Sequence, residues 1–383
     1  SLLRRAPALF PDYLSTKTSK SITKGSYQSV WLSIHIPDNT PPNTYSGKIT
    51  VRSDKGSQSI PLRIQVFPLQ MPKTPHLYTT NWYSISNKYH EFGKEFDEKF
   101  FALVDVYARN MAEHRQNVFR VDLSAISASM GADRRIKFNF SDYDHWIKIF
   151  ERTGTMTRLE TGFLARFAGD WWSTTIVLRD FDVFDTKSAL TIKMKGKDYL
   201  PQFLPAFEKH LKEIGWLDRT VFHIADEPCN VNIISWREAS EFVHTYAPSL
   251  KRIEALEGTY FDDRLEVWVP KLDHLTNMWD SFKKAQREGN ELWYYMAMTT
   301  NAYPNRFIDS PLIETRILHW LNYRFGITGY LHYGFNSWVG NDPYKDMDEP
   351  QYGVGANAIV YPLKDGIVNS IRWEQERNGL SDY

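Results

Sequence analysis

Between Ser26 and Phe67 apolar residues occupy every second position in YQSVWLSIHI, KITVRSD and SIPLRIQVF, and the polar, Pro- and Gly-rich stretches PDNTPPNTYSG and KGSQ separate them. A period of two bounded by turn residues predicts antiparallel strands with one covered face, the pattern of a small β-sandwich. PLQMPKTP follows, with Pro68, Pro72 and Pro75 too close together for a regular element. The boundary is therefore expected near residue 72, giving an N-terminal sandwich over 1–72 and a second domain over 73–383.

Beyond the boundary the pattern changes to short apolar runs alternating with longer stretches of helical period. The runs are LYTTNWYS, NVFRVDL, TRLETGFLA, TVFHIAD, KRIEAL, RLEVWVP, ELWYYMAM and GYLHYGF. Among the helical stretches are DEKFFALVDVYARNMAEHR, SDYDHWIKIFERTG and PLIETRILHWLNYRFG. Eight such units predict an α/β fold, a (β/α)8 barrel with a parallel inner sheet. After it NAIVYP reads as a strand and VNSIRWEQERNGLSDY as a helix, a C-terminal extension that packs back on the barrel or on the sandwich.

The fourth run ends abruptly in two adjacent acids, Asp226 and Glu227, followed by Pro228. At the C-terminal end of a barrel strand these side chains face the loops that build active sites in such barrels. Neighbours inside a strand point to opposite faces, but where the chain turns both can reach one pocket. Pro228 is expected to hold Glu227 extended. Capping of the next helix would need only one acid, and two of them repel.

Composition narrows the ligand. The 46 Lys and Arg balance 46 Asp and Glu, so no net field draws the chain to nucleic acid or an anionic membrane. Aromatics make up 15% of residues, with 13 Trp and 21 Tyr, and such rings suit sugar faces. One cysteine, Cys229, leaves no internal disulfide framework, and no paired-histidine spacing or phosphate loop marks a metal or nucleotide. No cofactor is expected. No apolar run approaches the ~20 residues of a membrane span. SLLRRAPALF carries no signal-peptide pattern, so localisation stays open, with periplasm, cell surface or secretion favoured if a leader has been removed.

Glycoside hydrolysis needs an acid to protonate the leaving oxygen and usually a second carboxylate as nucleophile about 5 Å away. The seventh run, ELWYYMAMTTN, ends without one, and Glu254 in the fifth is the chief remaining candidate. The absence points instead to a substrate that supplies its own nucleophile, the carbonyl of a 2-acetamido group. Glu227 is then the acid/base and Asp226 the group that orients the acetamido nitrogen. An ordinary glycosidase pairing Glu227 with Glu254, and a non-catalytic carbohydrate-binding protein, are the alternatives.

DEP at the fourth strand, EVWVP, PNRFIDSPLIETRILHWLNYRFGITGYLHYGFNSW and the ending SIRWEQERNGLSDY resemble glycoside hydrolase family 123. The DNTPPNTYSGKITV segment is also typical of it. The resemblance implies a β-sandwich before a (β/α)8 barrel and retaining, substrate-assisted β-N-acetylgalactosaminidase activity without a metal. Its adjacent Asp and Glu fall on Asp226 and Glu227. The implied partner is a glycan or glycolipid ending in a β-linked N-acetylhexosamine. Tyr333 stands where relatives often have Trp.

Other residues at strand ends are candidates for binding sugar: Trp82, Tyr83, Trp268, Tyr295, Asn305, Tyr333, Asn336 and Trp338. Arg120 with Asp122, and Asp309 with Arg316, are expected to form ion pairs, and His223 to be a satisfied core histidine.

Overall fold

The computed structural model describes residues 10–171, 173–261, 264–297, 304–340, 342–345, 347 and 353–383. Contacts divide the chain into a small unit, Lys17–Lys73, and a large one holding the rest. In the small unit Asn43–Ser53 and Gly56–Val66 pair antiparallel along their whole length, from Asn43 opposite Val66 to Ser53 opposite Gly56. The expected strand YQSVWLSIHI joins no ladder among the described residues. The unit is antiparallel β, built on one hairpin.

All eight barrel runs form strands, here numbered β1 Tyr78–Asn81, β2 Val118–Arg120, β3 Arg158–Thr161, β4 Thr220–His223, β5 Lys251–Leu256, β6 Val267–Pro270, β7 Glu291–Met296 and β8 Gly329–His332. They lie in one parallel sheet in the order β1-β8-β7-β6-β5-β4-β3-β2. Side-chain amides close the remaining gap. Asn117 Oδ1 accepts from the Thr79 amide at 2.9 Å, and Gln116 Oε1 from the Asn81 amide at 3.2 Å. The sheet thus curls into the (β/α)8 barrel.

Helices α1 Glu98–Glu113, α2 Ser141–Glu151, α3 Gly196–Glu213 and α4 Ile233–Tyr246 follow the first four strands. The connection from β5 to β6 holds no helix among the described residues, whereas α5 Leu272–Asn277 and α6 Trp279–Arg287 both follow β6. Next comes α7 Leu312–Phe325 after β7. The C-terminal helix α8, Ile371–Asp382, is the barrel's eighth helix rather than an appendage. It packs on α7, and Trp373 stacks on His114 of α1 at 4.6 Å.

Strand parity sorts the core. Val221, Ile253, Ala255, Val267, Val269, Trp293, Tyr295 and Leu331 fill the barrel interior, while their neighbours in sequence pack outward against the helices. Tyr78 stacks on Trp293 at 5.7 Å and Arg158 lies over Tyr78 at 3.7 Å, plugging the N-terminal end of the interior.

Buried ion pairs tie the C-terminal segments down. Arg306 donates to Asn81 Oδ1 at 2.7 Å and to Glu376 at 2.9 Å. Arg372 makes a two-point contact with Asp12, at 2.9 and 2.8 Å, so residues 10–16, expected in the N-terminal unit, belong with the barrel. Arg316 pairs with Asp382 of α8 at 2.5 Å, not with Asp309.

Removing one member of a buried pair strands the other charge, at a cost of about 3–5 kcal/mol. Arg372→Met is expected to lower unfolding free energy by that amount in chemical denaturation. Asp12→Asn combined with it is expected to recover part of the loss.

Candidate active site

Where β4 ends, its ladder to β5 is replaced by a side chain. Pairing stops at His223 opposite Ile253. Glu254 lies between the inward Ile253 and Ala255, and its carboxylate reaches over the end of β4, one oxygen toward His223 and the other toward α4. There Oε2 accepts from the amides of Ile224 at 3.2 Å and Ala225 at 2.9 Å, and from Trp236 Nε1 of α4 at 3.0 Å. The chain then turns, and Asp226 and Glu227 emerge half-buried at the C-terminal mouth.

Glu227 adopts φ 42°. This corrects the expectation that Pro228 keeps it extended. The Glu257 amide donates to the Pro228 carbonyl at 3.2 Å, so the turn is anchored on both sides and overrides the local preference. A non-glycine residue in this region costs of order 1–3 kcal/mol, and such strain collects at functional sites.

The acids share an electrostatic setting. Burial, then the charge of Glu254, raises Asp226 to about 6, against the opposing pull of His223 and Arg120. Burial, then the neighbouring Asp226 charge, raises Glu227 to about 7, with the Tyr295 hydrogen bond and Lys271 acting the other way. Both acids thus titrate near neutral pH, where the adjacent pair can hold one proton between them. That combination can accept from an N–H and give a proton to an oxygen.

Tyr295 points inward from β7, and its hydroxyl lies between Glu227 and Glu257, 3.1 Å from Glu257 Oε1, with a single proton to give to one or the other. Glu257 is in turn held by Lys271 at 2.9 Å and lies 3.1 Å from His274 Nδ1. Trp82 caps the interior after β1, donating to Glu160 at 2.5 Å and packing edge-on to His223 at 5.3 Å. Tyr333 packs against the same interior cluster after β8.

The remaining candidates lie elsewhere. Tyr83 faces α2, donating to the Arg120 carbonyl and accepting from Trp146, each at 2.9 Å. Trp268 falls on the outward parity of β6 and packs edge-on to Phe261 and Phe282. Asn336 brackets both backbone groups of Ser84, at 2.9 and 2.7 Å. Trp338 donates to the Val360 carbonyl at 2.7 Å, and Asn305 accepts from the Arg306 amide at 2.7 Å.

The description "Glycoside hydrolase 123, catalytic domain" matches residues 81–383, and "Glycoside hydrolase 123 N-terminal domain" matches residues 4–53. The chain belongs to glycoside hydrolase family 123. Among solved structures it resembles one described as giving the details of glycolipid glycan hydrolysis by a family 123 glycoside hydrolase from Clostridium perfringens. The two share 19% identity and a TM-score of 0.70, covering 91% of this chain and 66% of that one. It spans just under two thirds of that relative's length. A structure described only as a glycoside hydrolase matches at 11% identity, covering 81% of this chain and 99% of that one, with a TM-score of 0.43. No curated protein sequence matches the chain.

Two acids of this family 123 chain escaped the sequence reading, the buried Glu160 in RLET and the half-buried Glu257 just after KRIEAL. An acid flanked by apolar residues in a short strand was the available signal for Glu160. Among the described residues no group of three or more His, Cys, Asp and Glu side chains is arranged to hold a metal ion, and no helix is long and apolar enough to cross a membrane.

Because the Tyr295 hydrogen bond acts to lower Glu227, Tyr295→Phe is expected to push the titration of the Glu227 carboxyl above about 7. Carbon-13 NMR of selectively labelled glutamate would read the shift, and an unchanged midpoint would remove Tyr295 from the site's electrostatics.

Proposed function

We propose that the chain is a retaining β-N-acetylhexosaminidase that removes terminal β-linked N-acetylgalactosamine by substrate-assisted catalysis. In this reading the acetamido oxygen attacks the anomeric carbon while Glu227 protonates the departing glycosidic oxygen. Asp226, as a carboxylate, accepts from the acetamido N–H and stabilises the positive oxazolinium that forms. Glu227 then takes a proton from water as it opens that ring, returning the acid for the next cycle.

The observation that carries the reading is the adjacent pair at the end of β4, with burial and then the Glu254 charge raising Asp226 to about 6, and burial and then the Asp226 charge raising Glu227 to about 7. The acetamido group and the glycosidic oxygen sit on neighbouring ring carbons, which suits neighbouring acids. A protein nucleophile finds less support. Glu254 has its oxygens bonded to protein donors, and Glu257 is engaged by Lys271 and Tyr295. The glycolipid glycan named for the Clostridium perfringens enzyme is a fitting source of the terminal sugar.

The sign of each limb of the pH profile follows. Asp226 must be ionised, so kcat/KM is expected to fall as pH drops through about 6. Glu227 must hold its proton, so it falls again as pH rises through about 7. A narrow bell in initial rates on a β-GalNAc-terminated oligosaccharide is the expected result. Asp226→Asn and Glu227→Gln are each expected to reduce turnover by roughly 10²-fold or more. Equal turnover of the matching β-galactoside would sink the substrate-assisted reading, because that sugar has no acetamido group.

A further inference from the structure

Behind Asp226 lies an ionic cluster that the chemistry above leaves unused. His223 Nε2 lies 2.8 Å from Glu160 Oε1 and Nδ1 lies 3.2 Å from Glu254 Oε1, with all three side chains fully buried. Burial pushes Glu254 up, and its bonds to His223, the Ala225 amide and Trp236 oppose that. With both carboxylates ionised, each only accepts, so both ring nitrogens donate and the ring is an imidazolium. Burial works against that charge, yet the two carboxylates outweigh it and push His223 up to about 9.

The ring is also fixed in place. The edge of Trp82 and the tilted ring of Phe163 pack on it at 5.3 and 4.8 Å. A Cβ on Gly162 would come within 2.6 Å of the His223 carbonyl oxygen, so the backbone behind it admits only glycine. Each carboxylate is pinned independently of the ring, Glu160 by Thr80 at 2.5 Å and Glu254 by the amides of Ile224 and Ala225.

Two acids thus clamp one buried ring, Glu160 from β3 and Glu254 from β5, and Asp226 follows three residues beyond it where the chain turns, close enough to feel its charge. The second cation near Asp226 is Arg120 of β2, whose guanidinium lies over the Trp82 and Phe163 rings at 5.2 and 5.1 Å.

We propose that His223 is a positioning residue whose fixed positive charge, clamped between Glu160 and Glu254, keeps Asp226 a carboxylate while the adjacent Glu227 keeps its proton. The assignment of those two protonation states rests on the substrate-assisted reading; the clamp does not. Neutral histidine would leave Asp226 facing the like charge of Glu254 with Arg120 as the remaining opposing charge acting on it, and a protonated Asp226 could not accept from an acetamido N–H.

Two NMR measurements on the full chain test this without relying on turnover. Nitrogen-15 shifts of His223 should report both nitrogens protonated from about pH 6 to about pH 8; a neutral ring anywhere in that range overturns the clamp, and no variant is needed to read it. Carbon-13 titration of the Asp226 carboxyl should move upward by about one pH unit or more in His223→Gln. It should return toward the wild-type midpoint in His223→Gln combined with Glu254→Gln, which removes one charge of each sign.

The acidic limb of kcat/KM on the oligosaccharide should follow the same two shifts. A side chain with a purely structural role would lower kcat at every pH and leave the limb and the Asp226 midpoint where they were, and that outcome refutes the proposal. Should the wild type turn over no acetamido glycoside, the functional reading fails while the two NMR midpoints still decide the clamp.

Discussion

The end of β4 depends on one buried carboxylate. Glu254 takes up two backbone amides that would otherwise continue a ladder, and unpaired buried amides cost about as much as lost hydrogen bonds. By satisfying them at Ile224 and Ala225, it lets the strand stop there and the chain turn so that consecutive acids can share one pocket. Glu254 also carries half of the clamp on His223, so the same side chain sets both the geometry and part of the field of the site. This explains why an acid is tolerated in the middle of KRIEAL: every lone pair it needs to satisfy meets a donor from β4 or α4.

Much of the fold was legible because periodicity is a local property. Eight apolar runs separated by helical stretches became eight parallel strands, and the abrupt close of TVFHIAD marked a strand end that faces the mouth. The hairpin of the small unit was equally readable from KGSQ between two alternating runs. What was not legible was parity near strand ends. Trp268 and Tyr295 look equivalent in sequence, each an aromatic close to the end of a strand, yet one step of register sends Trp268 out against Phe261 and Tyr295 in toward Glu227. A period of two fixes alternation but not its phase, and the phase is set by how neighbouring strands stack in the barrel.

The two missed acids, and the partners of Glu254, have a related cause. Glu160, Glu254 and Glu257 come from two strands and one loop, separated by up to 97 residues from one another in the chain. Glu254 stood out as a candidate nucleophile, but nothing local marked Glu160 or Glu257, or what Glu254 would bond. Only the barrel brings Glu160 and Glu254 to opposite sides of one imidazole, and only the loop after β5 brings Glu257 to Lys271 and Tyr295. Asn336 and Trp338 illustrate the converse. They cluster with aromatic residues after the last strand, as binding residues would, but their polar atoms are spent holding Ser84 and Val360.

The two layers of the site divide the work in a way the chemistry requires. A pair of adjacent acids repels itself, and burial deepens the penalty, so left alone both would hold protons near neutral pH. Substrate-assisted hydrolysis needs them in different states. The asymmetry comes from what lies behind each: Asp226 has His223 and Arg120 opposing its protonation, whereas Glu227 has the like charges of Asp226 and Glu257 favouring its own, tempered by Tyr295 and Lys271. In the proposed mechanism, which of the two is the acid and which the carboxylate is therefore decided less by the DEP motif than by the residues around it. On the proposed mechanism, a relative that kept the motif but lost the charge at position 223 would lose the difference between its two acids, whereas a change at 254 would also release the amides that end β4.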